Sequence, residues 1–339
     1  MNYAQILTQL LERRDLTHAD MLILMQHLMG GQLTPAQIAA VLAALRSKGE
    51  TVTEIAAAAQ VMRELSSKVR VNDDGHLIDT CGTGGDGSQT FNISTASAIV
   101  AAAAGAKVAK HGGRSVSSTC GSADVLEKLG VNVNLTPDQV AHCVDTIGVG
   151  FMFAPNHHSA MKYAAPVRRE LGVRTLFNLL GPLTNPAGAK NQVMGVFLRD
   201  LTAKLARVLQ QLGSRHVLVV HGSDGMDEIS ISAPTFIAEL KDGKVREYTV
   251  QPQDFGLTAA PLNDIRVSDA GEAQTMLMNV MDNRPGAARD IVLLNAGAAI
   301  YVAGLSDTLA LGVNAAAKII ASGAAKNKLT QLVQVSNAA

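Results

Sequence analysis

His76-Leu-Ile-Asp-Thr-Cys-Gly-Thr-Gly-Gly-Asp-Gly-Ser-Gln-Thr-Phe-Asn-Ile-Ser-Thr95 is the stretch on which the fold turns. Leu77-Ile78 reads as the end of a buried strand, Gly82, Gly84, Gly85 and Gly87 as a loop, and the apolar, alanine-rich run over 93–104 as a helix. Strand, glycine loop and helix in that order aim backbone N–H groups and a helix N-terminus at an anion. Glycine lets the backbone approach a phosphate with no side chain between them. Asn92, Ser94 and Thr95 stand at the helix start, where hydroxyl and amide groups cap a helix or bind an anion or Mg²⁺. The loop lacks the Gly-Lys-Ser/Thr ending of a P-loop and the spacing of a dinucleotide fingerprint, so a tight structural turn is the plainer alternative.

Downstream, Lys107-Val-Ala-Lys-His-Gly-Gly-Arg-Ser-Val-Ser-Ser-Thr-Cys-Gly-Ser-Ala-Asp124 places Lys110, Arg114, further glycines and a series of hydroxyl residues after a second strand. Cations and hydroxyls beside a glycine loop suit a second phosphate group. Ligands of open α/β sheets bind at such strand ends. Asp227-Glu228 follows the apolar run 217–220, and adjacent carboxylates on a loop after a strand suit Mg²⁺, which prefers oxygen ligands and keeps several waters; a solvated acidic surface is the alternative. Arg168 and Arg169 stand together in Ala165-Pro-Val-Arg-Arg-Glu-Leu-Gly172. On a helix one of the two faces solvent, and the other is available to a carboxylate. His157-His158 has no metal-ligand spacing to other histidines or cysteines.

Around these motifs the 339 residues divide into two parts. Residues 1–70 read as helices throughout: Thr17, Thr34 and Thr51 each precede an acid or glutamine by three positions, the capping-box spacing. From His76 onward short β-prone runs alternate with helices, at Leu77-Ile78, 107–110, 131–133, 149–153, 192–197, 216–221 and 291–295. The fold class expected is therefore α/β: a small N-terminal helical domain (1–70) and a larger domain (71–339) with a mostly parallel sheet. Asp242-Gly243 between two β-prone runs predicts a hairpin that adds antiparallel strands. Lys+Arg and Asp+Glu both number 29, a balance that argues against a nucleic-acid binder. Cys81, Cys120 and Cys143 have no CxxC spacing and fit a reducing compartment. No apolar stretch is long enough for a membrane helix, and the N-terminal residues lack a signal-peptide pattern. These features point to a cytoplasmic protein with neither membrane nor nucleic-acid partners.

Taken together, Gly82-Thr-Gly-Gly-Asp86, Asn92-Ile-Ser-Thr95, Lys110-His-Gly-Gly-Arg114, Gly121-Ser-Ala-Asp124, Ala165-Pro-Val-Arg-Arg-Glu-Leu-Gly172, Phe177-Asn-Leu-Leu-Gly-Pro-Leu-Thr-Asn-Pro186 and Asp227-Glu228 resemble the anthranilate phosphoribosyltransferase family over nearly the whole chain. The resemblance implies a helical domain completed by helices within about 160–185, a homodimer formed through that domain, and Mg²⁺ as cofactor. It implies transfer of phosphoribosyl from phosphoribosyl pyrophosphate (PRPP) to the amino group of anthranilate, releasing pyrophosphate, in tryptophan biosynthesis. Carried over by residue, PRPP contacts are implied for Gly82, Gly85, Asp86, Thr90, Asn92, Ile93, Ser94, Thr95, Lys110, His111, Gly112, Gly113, Arg114, Ser115, Val116, Ser117, Ser118 and Ser122. Anthranilate contacts are implied for Gly82, Gly113 and Arg168, and metal contacts for Ser94, Asp227 and Glu228. No general base is assigned, because an aromatic amine needs mainly positioning.

The family pattern is Lys-His-Gly-Asn-Arg, and this chain has Gly113 at the asparagine. Ser159 replaces a frequent proline after His157-His158. Two other readings remain open at this point: a pyrimidine nucleoside phosphorylase-like enzyme, which has no evident use for Asp227-Glu228, and a non-catalytic nucleic-acid-binding relative of the fold.

Overall fold

The computed structural model describes residues 2–114 and 120–338. Its first part is helical: α1 (Tyr3–Leu11), α2 (His18–Met29), α3 (Pro35–Lys48) and α4 (Val52–Leu65). The capping signals act as the spacing predicts. Thr17, Thr34 and Thr51 accept from the N–H groups of Asp20, Gln37 and Glu54, and the boxes at Thr34 and Thr51 are reciprocal. Glu54 also reaches beyond its own helix. Its fully buried carboxylate takes the N–H of Leu16 and the ammonium of Lys48, so the box ties helices together as well.

Beyond residue 76 a seven-stranded sheet forms from β1 (Leu77–Thr80), β2 (Lys107–Gly112), β3 (Val149–Phe153), β4 (Asn191–Gly195), β5 (His216–Gly222), β6 (Thr235–Lys241) and β7 (Lys244–Val250), in the order β3-β2-β1-β4-β5-β6-β7. The first five run parallel, and β6 and β7 are antiparallel. The β6–β7 turn has Asp242 at φ 51° and Gly243 at φ 68°, the positive pair that a two-residue hairpin requires. Between and after the strands lie α5 (Ile93–Ala103), α6 (Ser122–Lys128), α7 (Pro137–Ile147), α8 (Ala154–His157), α9 (Ala165–Leu171), α10 (Phe177–Leu180), α11 (Leu201–Gln211), α12 (Ala270–Met281), α13 (Ala287–Val302), α14 (Leu309–Ala321) and α15 (Ala324–Ala338).

Alternate residues of the strands serve different cores. Ile78, Val108, Val193, Leu218, Val220 and Ile237 face a layer built from α5, α12, α13, α14 and α15. Met194, Val217, Val219, Ala238 and Leu240 face the other way, into a core shared with α11, α1–α4 and the segment that includes Ala164, Val167, Leu176 and Leu180. The helical part is thus continuous in its packing with one face of the sheet.

Two expected strands are absent among the described residues. Residues 291–295 lie inside α13, where a helix buried on every side carries the same unbroken apolar run as a buried strand. Residues 131–133 form an extended link from α6 to α7, and the N–H of Asn132 bonds the hydroxyl of Ser336 on α15.

β1 is flanked by β2 on one side and β4 on the other, with chain order running outward in both directions. The carboxyl ends of β1 and β4 therefore flank the crevice where such sheets bind ligands. The glycine loop follows β1, and Gly195 ends β4.

Candidate active site

Gly82 and Gly195 are both crowded by Asp227. A Cβ on Gly82 would stand 2.5 Å from Asp227 Oδ2, and one on Gly195 would stand 1.5 Å from the Asp227 carbonyl oxygen. Neither position admits a side chain without moving the acidic loop. The N–H of Gly84 donates to Asp227 Oδ2 at 2.9 Å across 143 positions of sequence, and Glu228 lines the same crevice as Ser94, whose N–H in the first turn of α5 favours its charged form. The glycine loop, the N-terminus of α5 and the acid pair thus form one unit, with the acids seated on donors of the kind that binds phosphate.

Negative charge is concentrated here. Asp86 accepts from the N–H and hydroxyl of Ser88 and lies beside Asp227. Burial, and after it the charge of Asp86, pushes the Asp227 carboxyl up to about 7. Burial followed by Asp227 pushes Glu228 well above the usual carboxylate range. Below them is Lys110, 3% exposed, whose Nζ donates to Thr80 O at 2.5 Å and Ser94 Oγ at 3.1 Å. Burial pulls its pKa down, opposed by the charges of Asp79, Cys81, Glu228 and Asp227.

These residues fit a magnesium ion. The donors are all oxygens (Ser94 Oγ and the two carboxylates), and their crowded negative charge is balanced locally by one buried lysine. Among the described residues no three His, Cys, Asp or Glu side chains can enclose an ion unaided, which suits a cation that keeps waters and shares substrate phosphates.

The other expected site residues divide. Asn92 does not cap α5: its Nδ2 donates to Cys120 O at 3.1 Å, while its buried Oδ1 has no partner among the described residues. The buried Thr95 hydroxyl is likewise without one. Thr90 forms an isolated bridge with Arg266, and Ile93 is core. Gly85, at φ +79°, presents its carbonyl to Arg174 Nη2 at 2.5 Å, and that guanidinium stacks 4.0 Å from the Phe197 ring. Gly112 packs against Ser122, whose Oγ would lie 3.3 Å from an added Cβ. Gly113 has no described residue within 4 Å of an added Cβ. Arg114 does not join Lys110. It is exposed and bonded to Asp124 at 2.9 Å and Glu127 at 2.6 Å, above the Phe153 ring. Ser115, Val116, Ser117 and Ser118 lie outside the described residues.

Arg168 is half-buried, its guanidinium 5.3 Å from the Phe177 ring centroid, with no ion pair or hydrogen bond among the described residues. His111 is buried, with Nδ1 at 3.3 Å from Gly181 O and its ring edge-on to His158 at 5.1 Å. His157 Nδ1 meets Ser67 O at 3.1 Å, and the buried Nε2 atoms of all three histidines have no partner among the described residues. Burial first, then the neighbouring imidazoles, lowers His111 to about 3 and His158 to about 4. The three rings are neutral at physiological pH. Cys81 and Cys120 are buried thiols raised by burial, Cys120 to about 11, so neither is a reactive thiolate.

Sequence reasoning missed four contributors. Asp79 takes the N–H of His111 at 3.1 Å and the Asn185 amide at 2.8 Å, bracing β1 against β2. A carboxylate inside a buried strand was the available signal. Gly195 and Arg174 act through contacts distant in sequence and left no local signal, and Asn295 left only its polarity within the apolar run 291–295.

Two family models match the chain: the helical bundle domain of a glycosyl transferase family over residues 4–66 and the α/β domain of that family over residues 74–326. The anthranilate phosphoribosyltransferase of Nitrosomonas europaea is 61% identical over 337 residues, covering 99% of each chain. Among solved structures, the anthranilate phosphoribosyltransferase from Thermus thermophilus matches with a TM-score of 0.93 at 41% identity, over 98% of this chain and 99% of that one. The Saccharomyces cerevisiae enzyme in complex with PRPP and Mg matches with a TM-score of 0.89 at 26% identity, over 99% of this chain and 98% of that one. These relatives support neither the nucleoside phosphorylase reading nor the nucleic-acid-binding one. By sequence, by fold and by the arrangement of its strand-end loops, the chain belongs to the anthranilate phosphoribosyltransferase family.

Proposed function

We propose that the protein transfers the phosphoribosyl group of PRPP to the amino group of anthranilate and releases pyrophosphate, with its site in the β1–β4 crevice. The observation that carries this assignment is the bond from the Gly84 N–H to Asp227, with Glu228 beside it lining the same crevice as Ser94. That contact brings the acids and the anion cradle into one site.

The glycine loop, residues 82–87, and the first turn of α5 offer backbone N–H groups to the pyrophosphate, and Lys110 sets a buried positive charge behind Ser94. Ser94, Asp227 and Glu228 would hold Mg²⁺. When bound, that ion neutralises charge developing on the departing pyrophosphate. Fixed N–H dipoles at a helix start stabilise the same charge without reorganising. Half-buried on Phe177, Arg168 is free to present its fork to the anthranilate carboxylate, and no described residue crowds Gly113 where the ring would lie. Positioning of the amine then supplies most of the remaining rate. The low-pKa histidines stay neutral and contribute no charge near the amine.

Leu11, Ile23 and Tyr163 are exposed on the helical side, and this supports a homodimer formed through that domain. No helix among the described residues is long and apolar enough to cross a membrane. The decisive assay follows the fall in anthranilate fluorescence with and without PRPP and Mg²⁺, with pyrophosphate measured in parallel. Consumption of anthranilate only when both are present is expected. Nucleoside phosphorolysis in place of anthranilate consumption would overturn the assignment.

A further inference from the structure

We infer that Asn295 is a positioning residue for the acidic pair, fixing Asp227 and Glu228 to α13 so that they face Ser94. The inference rests on the function proposed above and names a residue that lies 66 positions beyond the loop it holds.

The loop from β5 to β6 shapes itself through Asp224, which accepts from Ser230 Oγ at 2.6 Å, from Ser232 Oγ and from the Met226 N–H at 3.3 Å. Those bonds set the curl of the loop, and the Gly84 N–H holds Asp227 from the glycine-loop side. Asn295 ties the loop to α13. Its Oδ1 accepts from the Ile229 N–H at 2.9 Å, and its Nδ2 donates to Ile229 O at 2.9 Å. Both polar groups of the residue next to Glu228 are held by one amide, which fixes orientation as well as position. The second Nδ2 hydrogen goes to Ile291 O, one turn back on the same helix, at 2.9 Å, so the side chain is itself locked.

With those three bonds made and only 2% of the residue exposed, Asn295 has no donor left for substrate. It acts through the loop. Ile229 is 1% exposed, so without this amide its N–H and C=O would be buried unpaired or the loop would move, and a buried unpaired peptide is the costlier state.

The choice of helix matters. α13 packs against α5 and β4. α5 carries Ser94 in its first turn, where it lines one crevice with Glu228, and β4 ends at Gly195 against the Asp227 carbonyl. One helix therefore supports both sides of the proposed magnesium and pyrophosphate site. Residues that orient metal ligands in this way cost about 10–100-fold in metal affinity or activity when removed.

The test uses Asn295→Ala in the full-length protein, with Val292→Ala as a control for lost packing on the same helix. Mg²⁺ binding is titrated calorimetrically in the presence of PRPP, and hydrogen exchange is followed at the Ile229 amide. Asn295→Ala should weaken Mg²⁺ binding about 10–100-fold, speed exchange at Ile229, and leave the anthranilate KM within about twofold of wild type. Val292→Ala should unfold at lower temperature yet bind Mg²⁺ as wild type does. Should Asn295→Ala fail to fold, Asn295→Ser, too short to reach both Ile229 groups, replaces it with the same expectation. Wild-type Mg²⁺ affinity in a folded Asn295 variant overturns the inference alone, as does an equal loss in Val292→Ala. A wild-type protein that binds neither PRPP nor Mg²⁺ overturns the functional assignment, and this inference with it.

Discussion

Replacing Asp227 by asparagine should make the metal-free protein more stable and the enzyme nearly inactive. The Asp227 carboxyl is held at about 7 against an ordinary 3.8 by burial and the nearby Asp86. At 1.36 kcal/mol for each pKa unit, this corresponds to about 4 kcal/mol of destabilisation at neutral pH. Asp227 retains partial solvent exposure, which screens the penalty, and about 2 kcal/mol is the expected gain. For a chain of this size that is a rise in Tm of roughly 3 °C.

The pH dependence fixes the sign. A carboxyl whose pKa is raised by folding costs nothing below the unfolded value near 4, and its penalty grows between that value and about 7 and is constant above it. The stabilisation should therefore be full at pH 8 and absent at pH 4, measured by calorimetry or urea denaturation after chelation of divalent metals. Turnover should fall by about 10²–10³, the usual loss for one electrostatic stabiliser. A variant no more stable than wild type at pH 8, or equally stabilised at both pH values, would refute the account of a charge-crowded site.

Three further outcomes follow from the same geometry. Gly113→Asn restores the amide of the family pattern where no described residue crowds it and should tighten anthranilate by roughly 1 kcal/mol, seen as about a fivefold lower KM; an unchanged KM would count against an anthranilate contact there. Gly195→Ala drives a methyl onto the Asp227 carbonyl. It should cost about 1–3 kcal/mol of stability and raise the Mg²⁺ concentration needed for half-maximal rate, while a silent substitution would show that β4 does not brace the acids. Burial holds His111 at about 3 and His158 at about 4, so the unfolded chain takes up their protons first as pH falls. That contribution to stability is complete above 6.5 and is lost below it, by about 2 kcal/mol per histidine between pH 7 and 5. Urea titrations at several pH values should show the slope, and His158→Phe should reduce the loss between pH 7 and 5 by about 2 kcal/mol.

The parts of this fold that could be read from sequence are those with local causes. Thr34-Pro-Ala-Gln37 caps its own helix, Asp242-Gly243 turns its own hairpin, and the glycine loop after Leu77-Ile78 announces a strand end. The run at 291–295 misled because a buried strand and a helix buried on all sides are both continuous apolar runs, and periodicity cannot separate them. The site shows the same division. Asp227-Glu228 could be recognised as a pair, but the Gly84 N–H that holds Asp227 is a long-range contact. Its anchor at Asn295 sits within that misread run, where a lone polar residue among Ile291, Val292, Leu293 and Leu294 was the one hint available. Arg114 shows the reverse failure: adjacency to Lys110 in sequence suggested joint action, yet the strand end turns it outward to Asp124 and Glu127.

The seat of the acids on backbone N–H groups limits what side-chain replacement can reveal. Alanine scanning deletes side-chain atoms, and the donors at Gly84 and Ser94 survive every such deletion because each substituted residue still carries an amide hydrogen. At Gly82 and Gly195 the same scan adds atoms to a space that Asp227 fills, so a loss of activity there reports bulk and not a missing function. A scan of this enzyme would rank its carboxylates and Lys110 highly and record the cradle that holds them as either inert or merely obstructed. Amide-to-ester replacement at residues 84 and 94, which removes the hydrogen and leaves the side chain, is the chemistry that would bring that part of the site into view.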